Sequence, residues 1–358
     1  MEESDLHEGK LYATKHLLKL KGLENDPQVL EHINQALEVP LYHRMPRLQA
    51  RCYIDAYNKQ QDANLLLQEL ATLDFNMTQA AFKTELKEVS MWWENIGLAH
   101  KLAFVRDRLM ECFFWTVGVV SEPQYHSCRV WLTKVCTFIT VIDDIYDVYG
   151  SQDELEIFTD AVKSGENYSK RSLWKQTGLT INTFQCSMSI LNAWRSVSGV
   201  VILTHGYFLI NQEIKKDVVE SLEKYQDLMK WSSMVFRLYN DLATSSDEME
   251  RGKTVNAISC YMHENGVCEE VARAYITTLI DEGWRNLIKV HVACSQDLRN
   301  PFIDMAINLA RVSRCTYQYG DGHGAPDARA KIRVLYVIID PHYSNSKAFR
   351  GGGDDKCL

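Results

Sequence analysis

The stretch VLEHINQALEVP, Val29–Pro40, decides the fold class. Val29, Leu30, Ile33, Ala36 and Leu37 recur at i, i+1, i+4, i+7 and i+8, a spacing that gathers apolar side chains on one face of a helix. Pro40 closes the run, because it has no N–H to continue the ladder. Working outward, KLYATKHLLKLKG (Lys10–Gly22) is a second amphipathic run ended by glycine. Downstream, Asn64–Gly97 and Glu269–His291 repeat the same period. With only 7 prolines and few alternating stretches, the chain reads as all-α.

The 358 residues suffice for a large core. Polar, proline-bearing Arg44–Asn64 separates a helical leader, residues 1–60, from a main body, residues 61–338. The glycine-rich, charged end, residues 339–358, reads as a disordered tail. No repeat of 20–50 residues is visible.

A net charge of −8 argues against nucleic acid as a partner, since phosphate binding needs a basic face. An acidic protein can still take an anionic substrate if metal ions invert the local field. The 10 cysteines are scattered without C-x-x-C spacing, which excludes the common zinc and redox motifs. Ser198–Ile210 is the longest strongly apolar stretch and is too short to span a bilayer. The acidic N-terminus is neither a signal nor a transit peptide, so the chain as it stands reads as soluble and cytoplasmic.

Against this background VIDDIYDVYG, Val141–Gly150, stands out. On a helix Asp143 and Asp147 are four apart and share one face, beside apolar Phe138, Ile139, Val141 and Ile142. Partly buried carboxylates need neutralising, and hard divalent cations suit oxygen ligands. An EF-hand loop is excluded, because the sixth position from Asp143 is Val148 where that turn requires glycine. The other reading is a solvated acidic helix end.

A second constellation lies in RLYNDLATSSDE, Arg237–Glu248. Asn240, Thr244 and Glu248 at i, i+4 and i+8 stack three oxygen donors along one face, and Arg237 projects to about the same side. Ser245-x-x-Glu248 also has the form of a capping box, which would start a helix there. In FVRDRLMECFFWTVG, Arg106 and Arg108 flank Asp107 ahead of an aromatic cluster ending at Trp115. Arginines beside an aromatic wall suit a diphosphate with an apolar tail.

DDIYD, NDLATSSDE and RDR…W, in this order, resemble the DDxxD motif, the second metal motif and the arginine motif of plant class I terpene synthases, most closely the angiosperm monoterpene synthases. The resemblance covers most of Leu6–Val162 and Leu191–Val334. It implies a class I terpenoid synthase helical bundle with a remnant of the family's N-terminal helical domain. It also implies three Mg2+ ions, or Mn2+, holding a prenyl diphosphate, with geranyl diphosphate favoured, that ionises to an allylic cation.

Carried over, Asp143 and Asp147 resemble the first-motif ligands and Asn240, Thr244 and Glu248 the second-motif ligands. Arg106 and Arg237 match diphosphate contacts, and Trp115 matches an aromatic of the pocket. Tyr317 and Asp321 resemble the loop that closes over the site. The resemblance points to the plastid, although the chain begins inside the N-terminal domain without a transit peptide. Lys163–Trp194 is shorter than the corresponding family segment, and Asn256 stands where the family often has lysine. An inactive shortened relative and a non-enzymatic helical scaffold are the alternative readings.

Overall fold

The computed structural model describes residues 3–60, 62–165, 194–195, 197–211, 216–250, 256–294 and 300–342. Most of Lys163–Trp194, and all of the tail beyond residue 342, lie outside the described residues. Among the described residues there is no strand, so the chain is all-α.

The elements are α1 (Glu3–Lys21), α2 (Pro27–Glu38), α3 (Pro46–Tyr57), α4 (Leu65–Ile96), α5 (Leu98–Lys101), α6 (Leu109–Val119), α7 (His126–Asp144) and α8 (Gln152–Gly165). They continue as α9 (Gly199–Asn211), α10 (Lys216–Glu223), α11 (Gln226–Glu250), α12 (Ala257–Asn265), α13 (Glu269–Ala293), α14 (Pro301–Tyr317) and α15 (Ala328–Val334). The chain forms two compact units, Met1–Asp74 with His342–Leu358, and Phe75–Pro341. The division between these units falls within α4.

In the first unit α1 packs on α2, with Ile33 buried from the opening stretch. The polar Arg44–Asn64 segment is not simply a linker. Proline at the first turn, where its missing N–H costs nothing, starts α3, and Ile54 is its buried residue. Asp55 Oδ1 of α3 accepts a hydrogen bond from His342 Nε2 at 2.6 Å.

In the second unit α11 is the axis, packed by α13 and α14, with α6 against α14 and α7, and α9 against α7. α6 is buried nearly all round, from Cys112 to Val119, as its run of apolar residues requires of a core helix. α7 is bound to the core differently. Thr133, Thr137 and Thr140 each donate a hydroxyl to the carbonyl four residues back, which lets threonine sit inside a helix without an unsatisfied polar group.

One buried ion pair fixes the turn between α6 and α7. Arg129 is fully buried and grips both oxygens of Glu85, Nε to Oε2 at 2.7 Å and Nη2 to Oε1 at 2.5 Å. Its remaining donors reach the carbonyls of Val120, Glu122 and Pro123. Every donor of the guanidinium is therefore used, which is the condition under which a buried charge is tolerated. None of the helices searched among the described residues is long and apolar enough to cross a membrane.

Candidate active site

The first acidic motif sits at a change of helical winding. α7 ends at Asp144, and Ile145–Tyr149 continues as a π-turn. Gly150 N–H closes that turn on Ile145 O at 2.7 Å. A Cβ on Gly150 would lie 2.7 Å from the same oxygen and 2.6 Å from Leu155 Cδ2, so only glycine fits. Asp143 and Asp147 are thus not on one uniform α-helix. Such wide single turns recur at functional sites because they re-aim side chains. Asp143 is exposed, and the side chain of Asp147 lies outside the described residues.

Asp144 has the opposite fate. It is completely buried and held by Arg106 through the backbone N–H at 2.8 Å, Nε at 2.8 Å and Nη2 at 2.5 Å. Burial opposes charge on Arg106, but the bond and charge of Asp144 outweigh it, with Asp321 and Asp143 adding to the effect, so its pKa rises. The neighbouring Arg108 donates to Gly324 O at 2.8 Å.

α11 carries the second constellation on one continuous helix. Ser245 and Glu248 lie in the C-terminal part of this helix, far from its start at Gln226, so the capping-box reading is incorrect. Ser245 is buried and instead accepts from Arg273 Nη2 at 2.8 Å, and no helix starts there. Thr244 Oγ1 lies 3.0 Å from Asn240 O and 2.8 Å from Glu248 Oε1, to which it can donate. The other carboxylate oxygen of Glu248 accepts from Asn256 Nδ2 at 3.1 Å.

Asn256 does a second job as N-cap of α12. Its side chain accepts from Ser259 N–H while Ser259 Oγ accepts from its backbone N–H, a reciprocal box. Arg237 is ion-paired with buried Asp241, Nε to Oδ1 at 2.8 Å, and Asp241 Oδ2 accepts from Ala257 N–H at 2.9 Å. Burial disfavours the charged guanidinium, but Asp241 outweighs it, with Glu248 contributing, and the pKa of Arg237 rises.

Tyr317, at the end of α14, ties the parts together. It is buried and its phenol is bonded to the Asn240 side chain. Burial pushes its pKa far up, with Asp321 and Asp143 adding to the shift, so it stays protonated. Its ring lies 6.0 Å from Trp115 and 6.3 Å from Phe236, and Trp115 lies 4.8 Å from Phe236. These three rings form one aromatic wall beside the arginines and carboxylates.

The loop after α14 is docked on this region. Asp321 Oδ1 accepts from the N–H groups of His323 and Gly324 at 3.1 and 2.7 Å, which shapes the turn. Gly324 is in contact range of both Asp321 and Arg106, and a side chain there would strike them.

The structure therefore gathers Arg106, Trp115, Asn240 and Tyr317 around neighbours that influence one another. It places Thr244 and Glu248, about one and two turns along α11 from Asn240, in a shared hydrogen bond. Asp241, Asn256, Phe236 and His323 were not singled out as site residues from sequence. Asp241 had a local signal, four residues after Arg237, and the others did not.

Among the described residues no cluster of three His, Cys, Asp or Glu side chains is arranged to hold a metal. The donors present are nevertheless hard oxygens of the kind that suit magnesium: the Asp143 and Glu248 carboxylates, the Asn240 amide and the Thr244 hydroxyl. With its hydrogen directed at Glu248, Thr244 Oγ1 keeps lone pairs for an ion. The donor set fits.

With this geometry established, comparison with known proteins identifies the class. The model of the terpene synthase family, metal binding domain, matches residues 94–176 and 166–286. The chain belongs to the terpene synthase family. It is 53% identical to a chloroplastic (E)-beta-ocimene synthase of Matricaria chamomilla var. recutita, over 95% of this chain and 65% of that protein. It is 42% identical to a (-)-alpha-terpineol synthase of Vitis vinifera, over 95% and 65%. The chain thus spans just under two thirds of the length of these curated relatives.

Among solved structures, isoprene synthase from grey poplar leaves (Populus x canescens), in complex with three Mg2+ ions and dimethylallyl-S-thiolodiphosphate, is 39% identical with a TM-score of 0.81. The alignment covers 96% of this chain and 74% of that one. Limonene synthase with 2-fluorolinalyl diphosphate is 33% identical with a TM-score of 0.85, over 95% and 72%.

Proposed function

We propose that this chain is the metal-dependent part of a monoterpene synthase that ionises geranyl diphosphate and releases a monoterpene olefin or alcohol. The observation that carries the reading is the Asn240–Tyr317 bond. It joins the oxygen-rich face of α11 to the aromatic wall, within the field of Asp143, Asp321 and Arg106. Residues 61–338 are assigned to this catalytic part, and residues 1–60 to a remnant of the family's N-terminal domain. The chloroplastic names of the relatives support a plastid location for the whole protein.

In this reading Asp143, Asp147, Asn240, Thr244 and Glu248 hold Mg2+ or Mn2+. The complex of the poplar isoprene synthase supports a count of three ions. Bound ions supply positive charge against the growing charge of the leaving diphosphate. Arg106 and Arg237 stay protonated and add fixed positive charge on the diphosphate side. Asp144 and Asp241 hold the two guanidinium groups in place, so little reorganisation is needed as the bond breaks.

Trp115, Phe236 and Tyr317 present ring faces that stabilise an allylic cation and exclude water. The loop carrying Asp321 covers the diphosphate end. Gas chromatography of products from geranyl, dimethylallyl and farnesyl diphosphates with Mg2+ tests the proposal. A C10 hydrocarbon or alcohol from geranyl diphosphate supports it. Turnover only of the C5 or C15 substrate would overturn the substrate assignment, and diphosphate binding without product would favour an inactive relative.

A further inference from the structure

His323, in the loop after α14, has two ring nitrogens in different surroundings. Nε2 lies 3.1 Å from Thr140 Oγ1. The Thr140 hydroxyl has one hydrogen, and its oxygen lies 3.1 Å from Cys136 O, a group that can only accept. Cys112 Sγ lies 3.6 Å from the same oxygen. When the hydroxyl donates to the Cys136 carbonyl, its oxygen is free to accept from Nε2–H of the imidazole, the tautomer that leaves Nδ1 with a lone pair rather than an unpaired N–H. Nδ1 is buried and has no hydrogen-bond partner among the described residues.

The charged groups around the ring are Arg106 and Arg108 on one side and Asp321 and Asp144 on the other. Burial dominates, the carboxylates oppose it and the arginines reinforce it, so the imidazole pKa falls to about 4 and the ring is neutral near pH 7. The ring stands edge-on to Trp115 at 6.4 Å and 89°. A neutral nitrogen with a free lone pair is thus buried next to the aromatic wall, and nothing in the mechanism so far uses it.

We propose that Thr140 is a positioning residue that locks His323 in the Nε2–H tautomer, and that the bare Nδ1 is the proton acceptor that ends the reaction. The inference rests on the prenyl diphosphate reading of the site. A proton on the carbon next to the cationic centre passes to Nδ1. The C–H bonding pair becomes the second bond of a C=C, the hydrocarbon leaves neutral and His323 becomes imidazolium. Asp321 and Asp144 face the imidazolium, which returns its proton to water when the loop opens.

Two measurements test this. In 15N-histidine NMR of the chain without substrate, His323→Asn identifies the resonances among the 11 histidines. The expected spectrum has a protonated Nε2 and an unprotonated Nδ1. Thr140→Val should lose that preference and Thr140→Ser should keep it. A proton on Nδ1 in the wild type, or an unchanged tautomer in Thr140→Val, overturns the lock.

In turnover of geranyl diphosphate with Mg2+, the ratio of olefin to water-quenched alcohol should fall about 100-fold in His323→Asn, the lower end of the range for a lost general base. Thr140→Val should lower it in the same direction and Thr140→Ser should restore it. An unchanged ratio in His323→Asn overturns the acceptor role. If the wild type releases no diphosphate, the reading of the site fails with it, while the NMR result still decides the tautomer.

Discussion

Arg106 and Asp144 lie 38 positions apart in sequence and are joined by three contacts, one from the Arg106 backbone N–H and two from its guanidinium. The pair fastens the loop before α6 to the end of α7, one residue beyond Asp143. It therefore sets the position of the first acidic motif relative to Arg106. Asp144→Asn should destabilise the chain by about 3 kcal/mol, near the lower bound for breaking a buried pair, because Arg106 still reaches solvent. Urea unfolding measures it. Arg106→Lys should recover little, since an ammonium cannot make the forked contact.

A control lies away from the site. Glu85→Gln leaves the fully buried Arg129 with a neutral partner and should cost about 3–5 kcal/mol. Glu85→Leu combined with Arg129→Met should recover much of that loss, because the pair is then replaced by apolar side chains. Thermal unfolding of the three proteins separates a pair needed for stability from one that also arranges the site.

Asn256 couples stability to the second constellation. Asn256→Ala removes both the α12 cap and the bond to Glu248, and should cost about 1 kcal/mol from the cap alone. Asn256→Asp keeps the capping oxygen but loses the amide hydrogen that reaches Glu248. It sets a second carboxylate against Glu248, so it should be less stable than the wild type without Mg2+ and regain stability as Mg2+ is added, with altered Mg2+ affinity read by calorimetric titration. Equal Mg2+ binding by all three proteins would separate Asn256 from the ion site.

His323 gives a pH signature. Its folded-state pKa is about 4, against 6.5 for an unperturbed histidine. Between those values the unfolded chain binds the proton and the folded chain does not, so acidification favours unfolding. Stability of the wild type relative to His323→Gln should therefore be constant above pH 6.5 and fall as pH is lowered from 6.5 towards 4. Denaturant unfolding at several pH values checks the slope. A gap that widens on acidification would contradict the buried neutral ring.

The helical class was readable because Val29–Leu37 and Glu269–His291 carry their own period, and burial of one face is a local consequence of it. The oxygen donors of α11 were readable for the same reason, since Asn240 to Glu248 lie on one uninterrupted helix. The Asp143–Asp147 stretch was read with a uniform period, whereas the backbone widens at Ile145 in a turn closed by Gly150. Partnerships across the fold left no periodic trace. Asp144 with Arg106, Tyr317 with Asn240 and His323 with Thr140 are each set by helix packing between segments far apart in sequence. Asn256 was visible only as a replaced lysine. Its reach to Glu248 depends on how the chain turns between α11 and α12.

The central claim is that the carboxylates of α7 and α11 serve one metal-dependent site. Its most direct test is Mg2+-dependent release of diphosphate from geranyl diphosphate by the wild type, Asp143→Asn and Glu248→Gln. The wild type should release diphosphate only with Mg2+ or Mn2+, and each variant should lose activity by about 100-fold or more, the scale of a lost transition-state charge contact. Release that persists in a chelator, or that survives both substitutions undiminished, would contradict the account.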